Sequence, residues 1–196
     1  VYGLNDAKMQ IMQMLGQLIT NPSSIGSSIA IHGPPGTGKT TTLVHAIAGL
    51  VQSGEQVLAT AASNAAVDVL AKKCIEAGLK TVRIGNPIRI DDDVAKNSLE
   101  SLVERDVDYK RVRDLRRRAE DAWREATRYR RNFDSDARAE RKMARDDAKE
   151  LQAAATDLER AIEERAIRNA DVVCSTLTGT ADYDLRPFHF PVVVVD

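Results

Sequence analysis

Aromatic side chains are scarce: one Trp, four Tyr and three Phe make up 4 % of the 196 residues, so any core must be mainly aliphatic, drawn from the 43 % hydrophobic fraction. Cysteine is scarcer still. Cys74 and Cys174 stand far apart and lack the close spacing of metal ligands, which leaves them the role of small, reduced, buried residues. No apolar run approaches the roughly 18 residues that span a bilayer, and no basic-then-apolar leader opens the chain. The expectation is a soluble, cytoplasmic protein with no membrane partner. A charge excess is missing too: 28 Lys and Arg stand against 29 Asp and Glu. Total charge therefore selects no class of partner, and only its distribution can. The length allows one domain of ordinary size, or one domain carrying an insertion.

What is present begins with Gly33-Pro34-Pro35-Gly36-Thr37-Gly38-Lys39-Thr40. A glycine, four residues, then glycine, lysine and a hydroxyl residue is the spacing of a phosphate-binding loop. Its glycines let the backbone curl so that successive N–H groups point inward at a triphosphate. An apolar run, Ile29-Ala30-Ile31, leads in, and a helix-compatible segment from Thr41 to Leu50 leads out. A helix starting near Lys39 adds its positive dipole end and unpaired N–H donors. The pattern assigns Gly33, Pro34, Pro35, Gly36, Thr37, Gly38, Lys39, Thr40 and Thr41 to nucleotide binding. Lys39 would reach the β- and γ-phosphates, and the Thr40 hydroxyl would hold Mg²⁺. A chance glycine turn before a helix is the plainer reading; the order strand, loop, helix argues against it.

Further along, strand and helix patterns alternate. Residues 4–20 show apolar positions at Met9, Met12, Leu15 and Ile19 with helical spacing, and Asn5 or Asp6 could cap that helix. Gln56 to Thr60 reads as a buried strand, Asn64 to Ala77 as a helix ended by Gly78, and Thr81 to Ile84 as a third short strand. Asp171 to Leu177 and Pro191 to Asp196 read as two more strands. Alternation of this kind implies parallel pairing and an α/β sandwich.

Between them the texture changes. From about Leu99 to Arg168 glycine and proline almost vanish and charge dominates. Val112, Leu115, Ala119, Ala122, Ala126, Tyr129 and Phe133 step by three and four, and after a break Ala144, Ala148, Leu151, Ala155, Leu158 and Ile162 repeat the pattern. Two such seams specify an antiparallel helical hairpin, inserted into the α/β domain as a coiled-coil arm. The expected division is residues 1–97, the insertion 98–169, and a return over 170–196. Charge on the arm is segregated, with arginines such as Arg116, Arg117 and Arg118 on the first helix and Asp157, Glu159, Glu163 and Glu164 late on the second. Two readings stand. The basic side guides nucleic acid by phosphate attraction, or the helices solubilise one another by pairing charges. Trp123 and Tyr129 could stack on bases, although Tyr129 lies on the seam.

The valine run that closes on Asp196 suggests a second acidic site. A fully buried central strand would deliver this one carboxylate beside the phosphate loop, where it would bind Mg²⁺ through water. Lys39 and Asp196 are thus the candidate catalytic residues, and Thr40 and Asp196 the candidate metal ligands.

Four segments together resemble a known family: GPPGTGKT, QVLATAASNAAVDVLA, TVRIGNPIRI, and ADVVCSTLTGTADYD ahead of FPVVVVD. Their order and texture are similar to the first motor domain of superfamily 1 helicases, of the Upf-like and immunoglobulin-mu-binding-protein-like type. The resemblance implies a RecA-like domain that clamps ATP and Mg²⁺ against a second RecA-like domain and moves along single-stranded DNA or RNA. It implies that Ser63, Asn64, Ser175 and Thr176 contact the nucleic-acid backbone, where small hydroxyl and amide groups bond phosphate oxygens without reading bases. The plainer role for Ser63-Asn64 is a helix N-cap. The chain departs from the family pattern at Lys8, where a glutamine is usual, at Ala62, usually proline, and at Val69, usually asparagine. The family's glutamate after the acidic residue would follow Asp196. The chain therefore resembles a truncated motor domain, expected to bind nucleotide weakly with negligible turnover. Alternatives are a AAA+ or a chromosome-maintenance-like coiled-coil ATPase, and, in another class, a non-enzymatic adaptor that docks a partner through the arm.

Overall fold

The computed structural model describes residues 9–13, 16, 20, 38–85, 92–128, 135–182, 185 and 187–196. The loop residues Gly33 to Thr37, the strand expected at Ile29-Ala30-Ile31, and Lys8, Tyr129 and Phe133 lie outside them. Of the helix expected over residues 4–20, the described positions 9–13, 16 and 20 are helical.

The chain divides into two compact units, residues 1–99 with 167–196, and residues 100–166. In the first unit four strands, β1 (Val57–Ala61), β2 (Thr81–Arg83), β3 (Val172–Thr176) and β4 (Val192–Val195), form a parallel sheet in the order β2-β3-β1-β4. Parallel neighbours need crossover connections, and helices supply them: α1 (Lys39–Gln52) precedes β1, and α2 (Asn64–Glu76) joins β1 to β2. The helix α2 starts on Ser63 as N-cap and stops where Gly78 takes φ +80. A short helix α3 (Asp92–Lys96) inserts Val94, almost fully buried.

One core joins these elements. Val44, Ile47 and Leu50 of α1 and Val67, Leu70, Ala71 and Cys74 of α2 pack with Val57, Ala59, Ala61, Val172 and Cys174 of the sheet. Each buried Val, Leu or Ile stabilises the fold by about 1.5–3 kcal/mol. Both cysteines are free and buried, as their spacing predicted. The re-entry into β3 is tied down by polar groups: Gln56 Nε2 donates to the carbonyls of Ile167 (2.7 Å) and Ala170 (2.8 Å). It thereby satisfies acceptors that a helix end leaves open.

The strand β4 corrects the expectation of full burial; whether it is central depends on the strand expected at Ile29-Ala30-Ile31, which lies outside the described residues. Among the described strands it lies at the edge of the sheet. Val192 and Val194 pack on the core, while Val193 and Val195 are 56 % and 58 % exposed. Four identical residues therefore take alternate environments, because side chains of a strand point to opposite faces.

In the second unit the principal helices are α4 (Leu99–Glu104), α5 (Tyr109–Thr127) and α6 (Ser135–Arg168). Contacts Arg116–Glu159 and Arg141 Nη2 to Arg128 O (3.0 Å) run in opposite senses along α5 and α6, so the pair is antiparallel. Val112, Ala119 and Ala126 on one helix, and Ala148, Ala155 and Ile162 on the other, are buried. Arg165 anchors the base of this pair, bonding Asp106 at 2.5 Å and Asp108 at 2.8 Å. No described helix is long and apolar enough to cross a membrane.

Candidate functional site

The site begins with a backbone requirement. Gly38, immediately before α1, has φ 82 and ψ 17, a left-handed conformation that costs other residues about 1–2 kcal/mol. No described atom lies within 4 Å of where its Cβ would be, so conformation rather than space demands glycine there. Its carbonyl accepts from the Thr42 amide (2.9 Å) and the Thr42 hydroxyl (3.1 Å), which fixes the first turn of α1. Lys39, Thr40 and Thr41 occupy that turn, which carries no acidic side chain to quench its positive end.

Asp196 follows β4, and its amide donates to the Thr60 carbonyl at 2.8 Å. The Thr60 hydroxyl donates to Val194 O at 3.3 Å, a second tie between β1 and the end of β4. So held, Asp196 Oδ2 accepts from Thr40 Oγ1 at 3.2 Å, across 156 positions of sequence. A hydroxyl and a carboxylate side by side are hard oxygen donors of the kind Mg²⁺ takes. Among the described residues no group of three or more His, Cys, Asp or Glu could hold a metal alone. A pair this sparse suits an ion that keeps waters and shares phosphate oxygens. Thr41 is engaged otherwise, accepting from Lys73 Nζ of α2 at 3.0 Å.

Ser63-Asn64 and Ser175-Thr176 emerge from adjacent strands, since β1 and β3 pair Thr60 with Ser175 and Ala61 with Thr176. Ser63 Oγ accepts from the Ala66 amide at 3.3 Å, the N-cap bond. Asn64 Oδ1 accepts from Arg83 Nη2 at 2.9 Å. Thr176 Oγ1 accepts from the Gly179 amide at 2.9 Å, where the short helix α7 (Gly179–Asp182) begins. Ser175 is fully buried, and among the described residues its hydroxyl has no hydrogen-bond partner. A Cβ on Gly179 would lie 2.7 Å from Ser175 Oγ and 2.8 Å from Thr176 Oγ1, so only glycine lets this turn close over the strand end. The groups left with exposure at this edge are Ser63, Asn64 and Thr176. Sequence reasoning overlooked Lys73, Asp68 and Arg83. An arginine inside the run Thr81-Val82-Arg83-Ile84 was the available signal, because a charge in a buried strand needs partners.

A parallel sheet flanked by helices, with a glycine–lysine–threonine turn opening the first described crossover helix, is the RecA-like phosphate-loop fold. Comparison with known proteins narrows the class. A family model described as an AAA domain matches residues 4–196. DNA-binding protein SMUBP-2 of Mesocricetus auratus is 34 % identical over 170 residues, covering 85 % of this chain and 17 % of its own length. Regulator of nonsense transcripts 1 of Dictyostelium discoideum is 30 % identical over 196 residues, 98 % of this chain and 13 % of its own. An uncharacterized ATP-dependent helicase of Methanocaldococcus jannaschii is 44 % identical over 89 residues, 44 % of this chain and 13 % of its own. The chain belongs to this AAA-domain family, within the superfamily 1 helicases. It spans between 13 % and 17 % of the length of these three relatives.

Proposed function

We propose that this chain is the ATP-binding portion of an ATP-dependent helicase that translocates on single-stranded DNA or RNA and unwinds duplexes. The observation that carries the reading is the bond from Thr40 Oγ1 to Asp196 Oδ2. Thr40 and Asp196 would hold Mg²⁺, and Lys39 would neutralise charge on the β- and γ-phosphate oxygens. The first-turn amides of α1 would add donors toward the same phosphates. When bound, the ion supplies charge stabilisation for in-line transfer of the γ-phosphoryl group to water. Ser63, Asn64 and Thr176 would face the nucleic-acid backbone at the C-terminal ends of β1 and β3, the edge at which open α/β sheets bind ligands. Ser175 would support that edge from beneath. A second RecA-like domain would complete the nucleotide cleft.

The paired helices α5 and α6 fit a coiled-coil arm, because buried Val112, Ala119 and Ala126 on α5 and Ala148, Ala155 and Ile162 on α6 are each seven residues apart. Arg116 pairs across to Glu159 on the other helix, while Arg124 pairs with Glu120 and Asp121 and Arg117 with Asp114 within α5. The cross-helix pair Arg116–Glu159 supports mutual solubilisation at that position. Trp123, half exposed, lines an open groove with Ala119, Ala148 and Gln152.

The reading is tested by titrating the chain with a fluorescent ATP analogue in Mg²⁺. Wild type should bind, and Lys39→Ala should lose at least about tenfold in affinity, the weight of a charge-assisted contact. Equal affinity in the two proteins would overturn the assignment.

A further inference from the structure

Among the described residues, Arg83 is the charged side chain with no exposed surface at all. It ends β2, and its guanidinium is divided three ways. Nε donates to Asp68 Oδ1 at 2.8 Å, Nη2 donates to Asn64 Oδ1 at 2.9 Å, and Nη1 donates to the Ile84 carbonyl. Asn64 and Asp68 lie four residues apart on α2 and so share one face of that helix. Gly85, at φ +98, completes the enclosure: a Cβ there would sit 3.3 Å from Arg83 Nη1. An aliphatic side chain could fill this place without desolvating a charge. The guanidinium does something an aliphatic group cannot.

It fixes the orientation of an amide. A guanidinium has donors only, so the atom of Asn64 that faces it has to be the carbonyl oxygen. The amide nitrogen Nδ2 is then left on the side away from Arg83. Asn64 is half-buried, and among the described residues its Nδ2 makes no hydrogen bond. An Asn held at one face by an acceptor would present its oxygen instead, and an unheld one would turn either way. The register adds a second link: Arg83 pairs with Cys174, directly before Ser175 and Thr176.

We propose that Arg83, braced by Asp68, is a positioning residue that locks Asn64 with its NH₂ donor presented to a phosphate oxygen of a single-stranded nucleic acid. The proposal rests on reading Ser63-Asn64 as a strand contact and names what orients that contact. A phosphate oxygen accepts and never donates, so only the locked orientation binds it. The contact is neutral and Arg83 itself stays buried, so the lock contributes affinity without releasing counterions.

The test uses a fluorescein-labelled oligothymidylate, with anisotropy followed across a salt series. ATP-analogue affinity and thermal midpoint are measured on the same samples. The first variant replaces Arg83→Met and Asp68→Asn together, so that no charge is left unpaired. Oligonucleotide affinity should fall about tenfold, with nucleotide affinity within about twofold and the slope of log K against log salt unchanged. The second variant, Asn64→Asp, still accepts from Arg83 but turns a carboxylate oxygen outward. Its midpoint should hold or rise, while oligonucleotide affinity falls by more than about tenfold. Wild-type oligonucleotide affinity in Asn64→Asp would overturn the proposal. So would a parallel loss of both ligands in the double variant, which marks a general loss of structure. A slope reduced by about 0.7 would mean that Arg83 touches phosphate itself and would also overturn it. Should the wild-type chain bind no oligonucleotide at any salt, the strand-contact reading fails first and takes the proposal with it.

Discussion

At the scale of single residues, burial decides chemistry. The Cys174 thiol is pushed well above its ordinary range by its hydrogen bond with Cys74 and by complete burial beside it. The same hydrogen bond lowers the Cys74 thiol, so burial rather than protonation shields that residue. Both thiols are buried, and a disulfide-exchange reagent, which needs access to a thiolate, should leave both unlabelled in the folded protein. Both should label once denaturant opens the core, at a rate that tracks opening. Rapid labelling under native conditions would contradict the packing of α2 against β3. The reduced, buried role of these cysteines was legible in their spacing alone. The Arg83 cluster was not, because Asn64, Asp68 and Arg83 become neighbours only when α2 folds back along β2. Ser175 shows the same limit. Its segment could be placed on a strand, but its complete burial follows from the turn at Gly179, which no local pattern announces.

At the scale of elements, periodicity carried most of the information. The strands found at Val57–Ala61 and Val172–Thr176 and the helix at Asn64–Glu76 lie within a residue or two of where alternation and the Gly78 stop signal set them. The short helix Asp92–Lys96 was missed, since five residues are too few to show a helical period. The spacing of Val112, Ala119 and Ala126 against Ala148, Ala155 and Ile162 marked the seams of the helical pair before any contact was known. Which charges pair across them was open, and Arg116 with Glu159 supplies one answer. Reversing that arginine, Arg116→Glu, sets two carboxylates together and should cost about 0.2–1 kcal/mol, read as a lowered thermal midpoint. Adding Glu159→Arg restores opposite charges and should recover most of the loss. A double variant no more stable than the single one would show that the cross-helix pair contributes nothing.

At the scale of the whole molecule, the claim is topological. Thr40 opens α1 and Asp196 closes β4, and they meet because β4 pairs in register with β1 while α1 packs on the same sheet. The residue types and the order of segments pointed to that meeting. The exposure of Val193 and Val195 did not follow from four valines in a row, because a uniformly apolar run carries no signal of which face is covered. The measurement that bears most directly on the account is calorimetric titration with ATP, with Mg²⁺ and then with chelator, on wild type, Thr40→Val and Asp196→Asn. The account predicts that Mg²⁺ tightens ATP binding to wild type, and that either substitution removes at least about tenfold of that enhancement. Full Mg²⁺ enhancement in Asp196→Asn would contradict it.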